Sequence, residues 1–399
     1  MITVAARDTG AAKMAAIAVA RRHRTRRIAL ACMQAPDAGP FLAKGHLNPS
    51  LRNSFAIPCR VPRWRGLAPT RVEKILREGF VRTPMRRRSL GKTGLQVSEI
   101  GFGAWAIGGN AHGNSYGPTD DAKSVAAVQK AVDLGVNFFD TADVYGWGHS
   151  EEVLGKALEG RRDQVLLATK VGGDFYHGQV RANFDPGYIA FALGRSLHRL
   201  RTDHVDLYQL HNPPAEMMAD PATYEVLEAL KAEGKIAHYG VSVHEPMEAS
   251  LCLESGKPEA LQIPFSLFRQ EWIDEILPAA HRAGVGIIAR EPLGNGFLTG
   301  KIRPGQRFPP GDIRHHWPGS MVAGRVAAAE RLSILTKPNR TRTQTALRFV
   351  LAFPGTSVAI PGAKTVEQVE ENVATTDAPA LTEAEIREAR TLYAKDFGL

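Results

Sequence analysis

Asp140, Tyr145, Lys170 and His211 are the residues of this 399-residue chain whose types and placement suit a reaction centre. Asp140 follows the apolar run at residues 136–139, Lys170 follows "VLLAT", and His211 follows "VDLYQL". Tyr145 stands five residues beyond Asp140. A lysine that ends an apolar strand keeps its ammonium in poorly hydrated surroundings, which is costly unless a carboxylate pairs with it. Asp140 is placed for that pairing. A positive Lys170 beside Tyr145 favours phenolate and is expected to lower the tyrosine pKa from about 10, giving a general acid usable near neutral pH. His211 can donate a hydrogen bond to a substrate oxygen and polarise a carbonyl. Taken singly, each residue has a structural explanation as a bonded histidine, an ion pair or a loop tyrosine. The chemistry depends on elements that bring the four together.

Those elements are legible as an alternation. Short apolar runs at residues 99–102, 136–139, 165–169, 205–210, 236–241, 260–263, 285–289 and 357–360 read as strands. Helical segments lie between them. "PTDDAKSVAAVQKAVDLG" has Thr119 as its expected N-cap and Gly135 as its terminator. "DPGYIAFALGRSLHRL" and "DPATYEVLEALKAEG" open on Asp-Pro. Strands alternating with helices predict parallel βαβ units, and eight of them predict an α/β fold, the (β/α)8 TIM barrel. All strand C-termini of such a barrel converge on one face. "RRSLGKTGLQVSEIGFG" adds an N-terminal β-hairpin, its glycines supplying the turn. "GFGAWA" matches the dinucleotide fingerprint G-x-G-x-x-G/A, but the glycine-rich "IGGNAHGNSYGP" follows where that fingerprint needs a helix. A doubly wound fold is therefore set aside. At the last strand, "IPGAKTVEQVEENV" offers Gly362 for close backbone approach, Lys364 as a charge and Thr365 as a helix cap. It reads equally as a phosphate seat or as an ordinary strand-to-helix turn.

Hydrophobic content of 44% fits a soluble protein, and no apolar run approaches the roughly 18 residues of a membrane span. Three cysteines (Cys32, Cys59, Cys252) without metal-like spacing argue against a disulfide frame and for a reducing compartment, the cytoplasm. The net charge of +9 is uneven. Residues 1–84 hold 16 Lys and Arg against 4 Asp and Glu, and residues 85–399 hold 34 against 37. The patterned body is thus no basic nucleic-acid binder. The Arg-rich stretch allows a targeting peptide, a twin-arginine signal at Arg26–Arg27 or a basic arm. The reading adopted is an extension outside the fold, disordered or the product of a misassigned start, with Met85 the true start of a domain at 85–399. Metal-binding pairs are absent from the strand ends, which disfavours a metal-dependent hydrolase.

The motifs "LGKTGLQVSEIGFGAW", "FFDTADVYGWGHSEEVLGKAL", "LATKVG", "DLYQLHNP", "GKIAHYGVSVH", "GIIAREPLGNGFLTGK" and "VAIPGAKTVEQVEEN" together resemble the aldo-keto reductase family, over about residues 86–372. The resemblance implies a catalytic tetrad at Asp140, Tyr145, Lys170 and His211. It also implies NADPH-dependent reduction of a small-molecule aldehyde or ketone, with an NADPH-binding regulatory module as the alternative. For the cofactor it implies Ser242 and Gln262 at the carboxamide, Phe265 stacked on the nicotinamide, and Leu293, Gly294 and Lys301 at the pyrophosphate. Lys364 and Thr365 match the 2′-phosphate positions, and Gln368, Glu371 and Asn372 the adenine side. Trp105 and Trp147 read either as an apolar substrate wall or as core packing, and the wall is the reading adopted. Two positions depart from the pattern. Val243 stands where many members have Asn, and Arg290–Glu291 replace a less charged pair. Substrate choice would rest on the loops at 108–118, 172–185 and 303–320.

Overall fold

The computed structural model describes residues 84–113 and 115–399; the readings made for the Arg-rich segment fall, through residue 83, outside the described residues. Eight parallel strands form one sheet in the order β12-β11-β10-β9-β8-β5-β4-β3. They are β3 (Phe102–Gly103), β4 (Phe138–Asp140), β5 (Leu166–Val171), β8 (Val205–His211), β9 (Ile236–Ser242), β10 (Ala260–Pro264), β11 (Gly286–Arg290) and β12 (Thr356–Ala359). Bridges Ile100↔Ala359 and Gly103↔Gly362 join its two edges, so the sheet closes into the expected barrel. Each strand lies within a few residues of the apolar run that predicted it.

Period-two alternation sorts the strand residues into two layers. Phe138, Ala168, Leu207, Ala260, Ile288 and Val358 fill the barrel interior. Their neighbours Phe139, Leu167, Tyr208, Leu261, Ile287 and Ala359 pack outward with helix residues. Two residues beyond the interior set, on the same face, come Asp140, Lys170, Gln209, Gln262 and Arg290. The phase that places an apolar side chain in the interior therefore aims a polar one into the mouth.

The hairpin of β1 (Arg87–Ser89) and β2 (Gln96–Ser98) closes the opposite end, placing Leu90 and Val97 in the interior cluster. Gly286 is required there, because a Cβ would lie 2.5 Å from the Leu90 side chain. The buried Glu99 ties the hairpin to the end of the chain, accepting from Arg86 at 2.8 Å, Arg88 at 3.4 Å and Arg348 at 3.5 Å.

The first barrel helix, α1 (Asp121–Asp133), is capped by Asp120, whose side chain accepts from the Lys123 amide at 3.1 Å. The cap is one residue later than the expected Thr119. α2 (His149–Ala157) follows the Tyr145 loop. α3 (Pro186–Leu200) opens on Pro186, whose fixed φ suits the first helical position. A two-stranded ribbon, β6 (Gly173–Asp174) with β7 (Arg181–Ala182), occupies the loop after β5; the sequence reading had no strand there.

Candidate active site

The ends of β4, β5 and β8 place Asp140, Lys170 and His211 at one mouth, and the turn after β4 returns Tyr145 over them. Lys170 is fully buried. Its Nζ donates to Asp140 Oδ1 at 2.6 Å, to the Thr141 carbonyl at 2.8 Å and to the Tyr145 hydroxyl at 3.1 Å. All three ammonium hydrogens are used, the condition under which a buried ion pair is tolerable. Asp140 Oδ2 accepts from Gln209 Nε2 at 3.0 Å and Gln262 Nε2 at 2.8 Å. The His211 ring stands edge-on to Tyr145, with centroids 5.7 Å apart.

Burial raises the Tyr145 pKa above 10, and the opposing pull of Lys170 does not overcome it. The expected lowering is thus corrected. Lys170 acts in the direction foreseen, but the desolvated phenol keeps its proton more tightly than in water. Burial pulls Lys170 down, while Asp140 and Tyr145 more than offset it and leave the ammonium above its usual range. Burial, reinforced by Lys170, Arg290 and His244, holds His211 well below 6.5, so its imidazole is neutral near pH 7. The arrangement presents two neutral donors, a phenol and an imidazole, beside a fixed cation.

They border a cavity of about 540 Å³. Gly103, Trp105, Tyr145, His211 and Gln262 line one end, and Leu293, Lys301, Gly362, Lys364, Gln368, Glu371 and Asn372 continue the wall. A Cβ on Gly103 would lie 2.6 Å from the Ile360 carbonyl oxygen, so the seam between Gly103 and Gly362 closes only with glycine there. Thr365 caps α4 (Val366–Val373), its hydroxyl accepting from the Gln368 amide, and Lys364 and Gln368 on either side of it line the cavity.

Other expected contributors stand back from the wall. Ser242 is buried behind it, 3.4 Å from Asn212 Oδ1. Phe265 packs among Phe349 and Phe353 in the outer layer. It lies three residues from Gln262, the opposite phase of the strand. Gly294 turns with φ +53 against Phe268. Trp147, also at positive φ, stacks on His112 at 4.1 Å and on Phe175 at 5.7 Å.

The wall also contains residues that sequence reasoning did not assign. Arg314 pairs with Asp312 at 2.6 Å, donates to the Asn295 carbonyl at 2.9 Å and lies 4.7 Å from the Tyr116 ring. Ile313 N donates to the Ser115 carbonyl at 2.8 Å. The loops at 108–118 and 303–316 are thereby fastened together beside the cavity. Arg290 pairs with Glu291 and donates to His244 Nδ1 at 2.8 Å. Among the described residues there is no cluster of three or more His, Cys, Asp or Glu able to hold a metal, and no helix long and apolar enough to cross a membrane.

The family model "Aldo/keto reductase family" matches residues 99–394. The chain belongs to the aldo/keto reductase family. Among its relatives, the "Uncharacterized oxidoreductase YqkF" of Bacillus subtilis (strain 168) is 33% identical over 317 residues, 78% of this chain and 98% of that protein. The holo form of aldo-keto reductase AKR11C1 from Bacillus halodurans superposes with a TM-score of 0.65 at 31% identity, covering 77% of this chain and 96% of that one. An aldo-keto reductase from Klebsiella pneumoniae in complex with NADPH gives 0.59 at 26%, covering 77% and 95%. In this aldo/keto reductase Asp140, Tyr145, Lys170 and His211 meet at one mouth of the barrel, beside a cavity that extends to Lys364, Gln368 and Asn372.

Proposed function

We propose that this aldo/keto reductase reduces a small-molecule aldehyde or ketone to the alcohol, reversibly and with NADPH, in the cytoplasm. The observation that carries the reading is the Tyr145 hydroxyl, 3.1 Å from Lys170 Nζ and open to a cavity shared with His211 and Gln262. Residues 85–399 form the domain that carries the site.

The cavity suits a dinucleotide. Gln262 Oε1 is buried without a partner and accepts from a carboxamide. Gly362 allows close approach, the α4 N-terminus and Lys364 suit a phosphate, and Gln368, Glu371 and Asn372 offer polar groups to an adenosine. The Klebsiella pneumoniae relative binds NADPH, which supports the same choice here.

Bound there, NADPH supplies a hydride to the carbonyl carbon. The carbonyl oxygen accepts hydrogen bonds from Tyr145 and from the neutral His211, and Tyr145 gives it the proton. Lys170 stabilises the phenolate left behind, and Asp140 keeps Lys170 in place. Trp105, Tyr116 and Val144 supply the apolar side of the wall.

The test is NADPH oxidation by the full chain with a panel of aldehydes and ketones. Tyr145→Phe is expected to lower kcat by at least about 10²-fold. A Tyr145→Phe rate equal to wild type would overturn the mechanism. Tight NADPH binding without turnover on any carbonyl would point to the regulatory alternative.

A further inference from the structure

Asp140 is held from two sides. Lys170 takes Oδ1, whereas Oδ2 accepts from two amides, Gln209 at 3.0 Å and Gln262 at 2.8 Å. Gln262 Nε2 also donates to Gln209 Oε1 at 3.1 Å, so the amides form a linked pair. Backbone register explains the meeting. Gln209 is the direct cross-strand partner of Lys170 on β8, and two residues later the same face carries His211. Between β8 and β10 lies β9, whose residue opposite both Gln209 and Ala260 is Gly240. A Cβ at Gly240 would lie 2.6 Å from the Ala260 carbonyl oxygen, and the two glutamines meet over this closely paired stretch of β9. Gln209 is fully buried and does not border the cavity. It touches neither a ligand nor the reacting atoms.

We propose that Gln209 is a positioning residue for the proton donor: its amide, shared with Gln262, fixes Asp140 and through Asp140 and Lys170 sets how readily Tyr145 gives up its proton. An N–H aimed at Oδ2 draws carboxylate charge away from Oδ1, so Lys170 is held without being neutralised. Without that N–H, Asp140 draws more strongly on the ammonium, and less positive field remains at the phenol. The charged and titratable groups facing the Tyr145 hydroxyl are Lys170 from β5, Asp140 from β4, His211 from β8 and Arg290 from β11. Gln209 contacts Asp140 directly, and its replacement leaves the other three in place.

The inference rests on the reductase reading for its significance, but its test does not depend on turnover. A fluorinated tyrosine placed at position 145, acidic enough to titrate within the stable range, reports its own ionisation by ¹⁹F NMR in the full chain without cofactor or substrate. Gln209→Leu is expected to move that titration to higher pH by roughly a few tenths of a unit, a fraction of the effect of losing a hydrogen bond to a charged group, since it reaches Tyr145 through Asp140 and Lys170. Gln209→Met, which keeps the length of the side chain, is expected to do the same and serves if Leu does not fold. In turnover, the rising limb of alcohol oxidation shifts with it. A ¹⁹F titration unmoved in the folded variant would overturn the proposal and leave Gln209 a packing residue. Failure to reduce any carbonyl would leave the titration result intact and count only against the reductase reading.

Discussion

Lys170 Nζ lies 3.1 Å from the Tyr145 hydroxyl, and yet Tyr145 keeps its proton beyond the ordinary tyrosine range. Ammonium and burial act on the same oxygen in opposite senses, and burial is the larger. Below about pH 10 the hydroxyl is therefore a proton donor, and His211, held below its usual value, is neutral above about 6.5. Carbonyl reduction is expected to be flat between about pH 6.5 and 9, while alcohol oxidation, which needs the phenolate, climbs throughout that range. Profiles of kcat/KM in both directions check this. An alkaline limb in reduction centred below about pH 9 would contradict the burial of the phenol.

Removing one member of the buried pair should cost more than removing both. Lys170→Met leaves Asp140 with two amide donors and no cation, and is expected to destabilise the fold by about 3–5 kcal/mol. Asp140→Asn together with Lys170→Met should recover most of that loss without restoring activity. Urea denaturation of the wild type and the two variants measures the difference. A double variant no more stable than Lys170→Met alone would show that the ion pair is not the source of the penalty.

Lys364 Nζ donates to the Tyr116 carbonyl at 2.8 Å and also approaches those of Gly117 and Pro118. A 2′-phosphate would compete with these neutral acceptors for the same ammonium. Lys364→Met is expected to weaken NADPH binding by about 10- to 100-fold, the range of a charge-assisted hydrogen bond, and to leave NADH binding nearly unchanged. Fluorescence titration with both nucleotides reads the ratio. An equal loss for both would assign Lys364 to tethering the 116–118 loop alone.

The barrel and the meeting of its four principal residues were legible because both follow from period. Apolar runs marked the strands, and on most of them the residue ending the run on the inward phase was polar. The same phase argument would have found Gln209, two residues before His211, and it would have set Phe265 on the outer layer. Trp147 escaped because a positive φ redirects its ring toward His112, which no periodicity encodes. The fastening of Ser115 to Ile313 escaped for a related reason: it joins two aperiodic loops almost 200 residues apart. The sense of the Tyr145 shift was missed because a sequence names neighbours but not the depth at which they are buried.

The hairpin that plugs the barrel also bears on how the molecule is made. Leu90 and Val97 are among the first patterned residues to leave the ribosome, but the interior they fill is completed only by β12, and Glu99 waits for Arg348. The seam between Ile100 and Ala359 cannot form while the chain is still growing. Until synthesis reaches that last strand, the earlier ones form an open sheet with two unpaired edges and an uncovered apolar stopper. The nascent protein is thus most exposed to aggregation until β12 emerges, and factors that shield emerging chains would matter most up to that point.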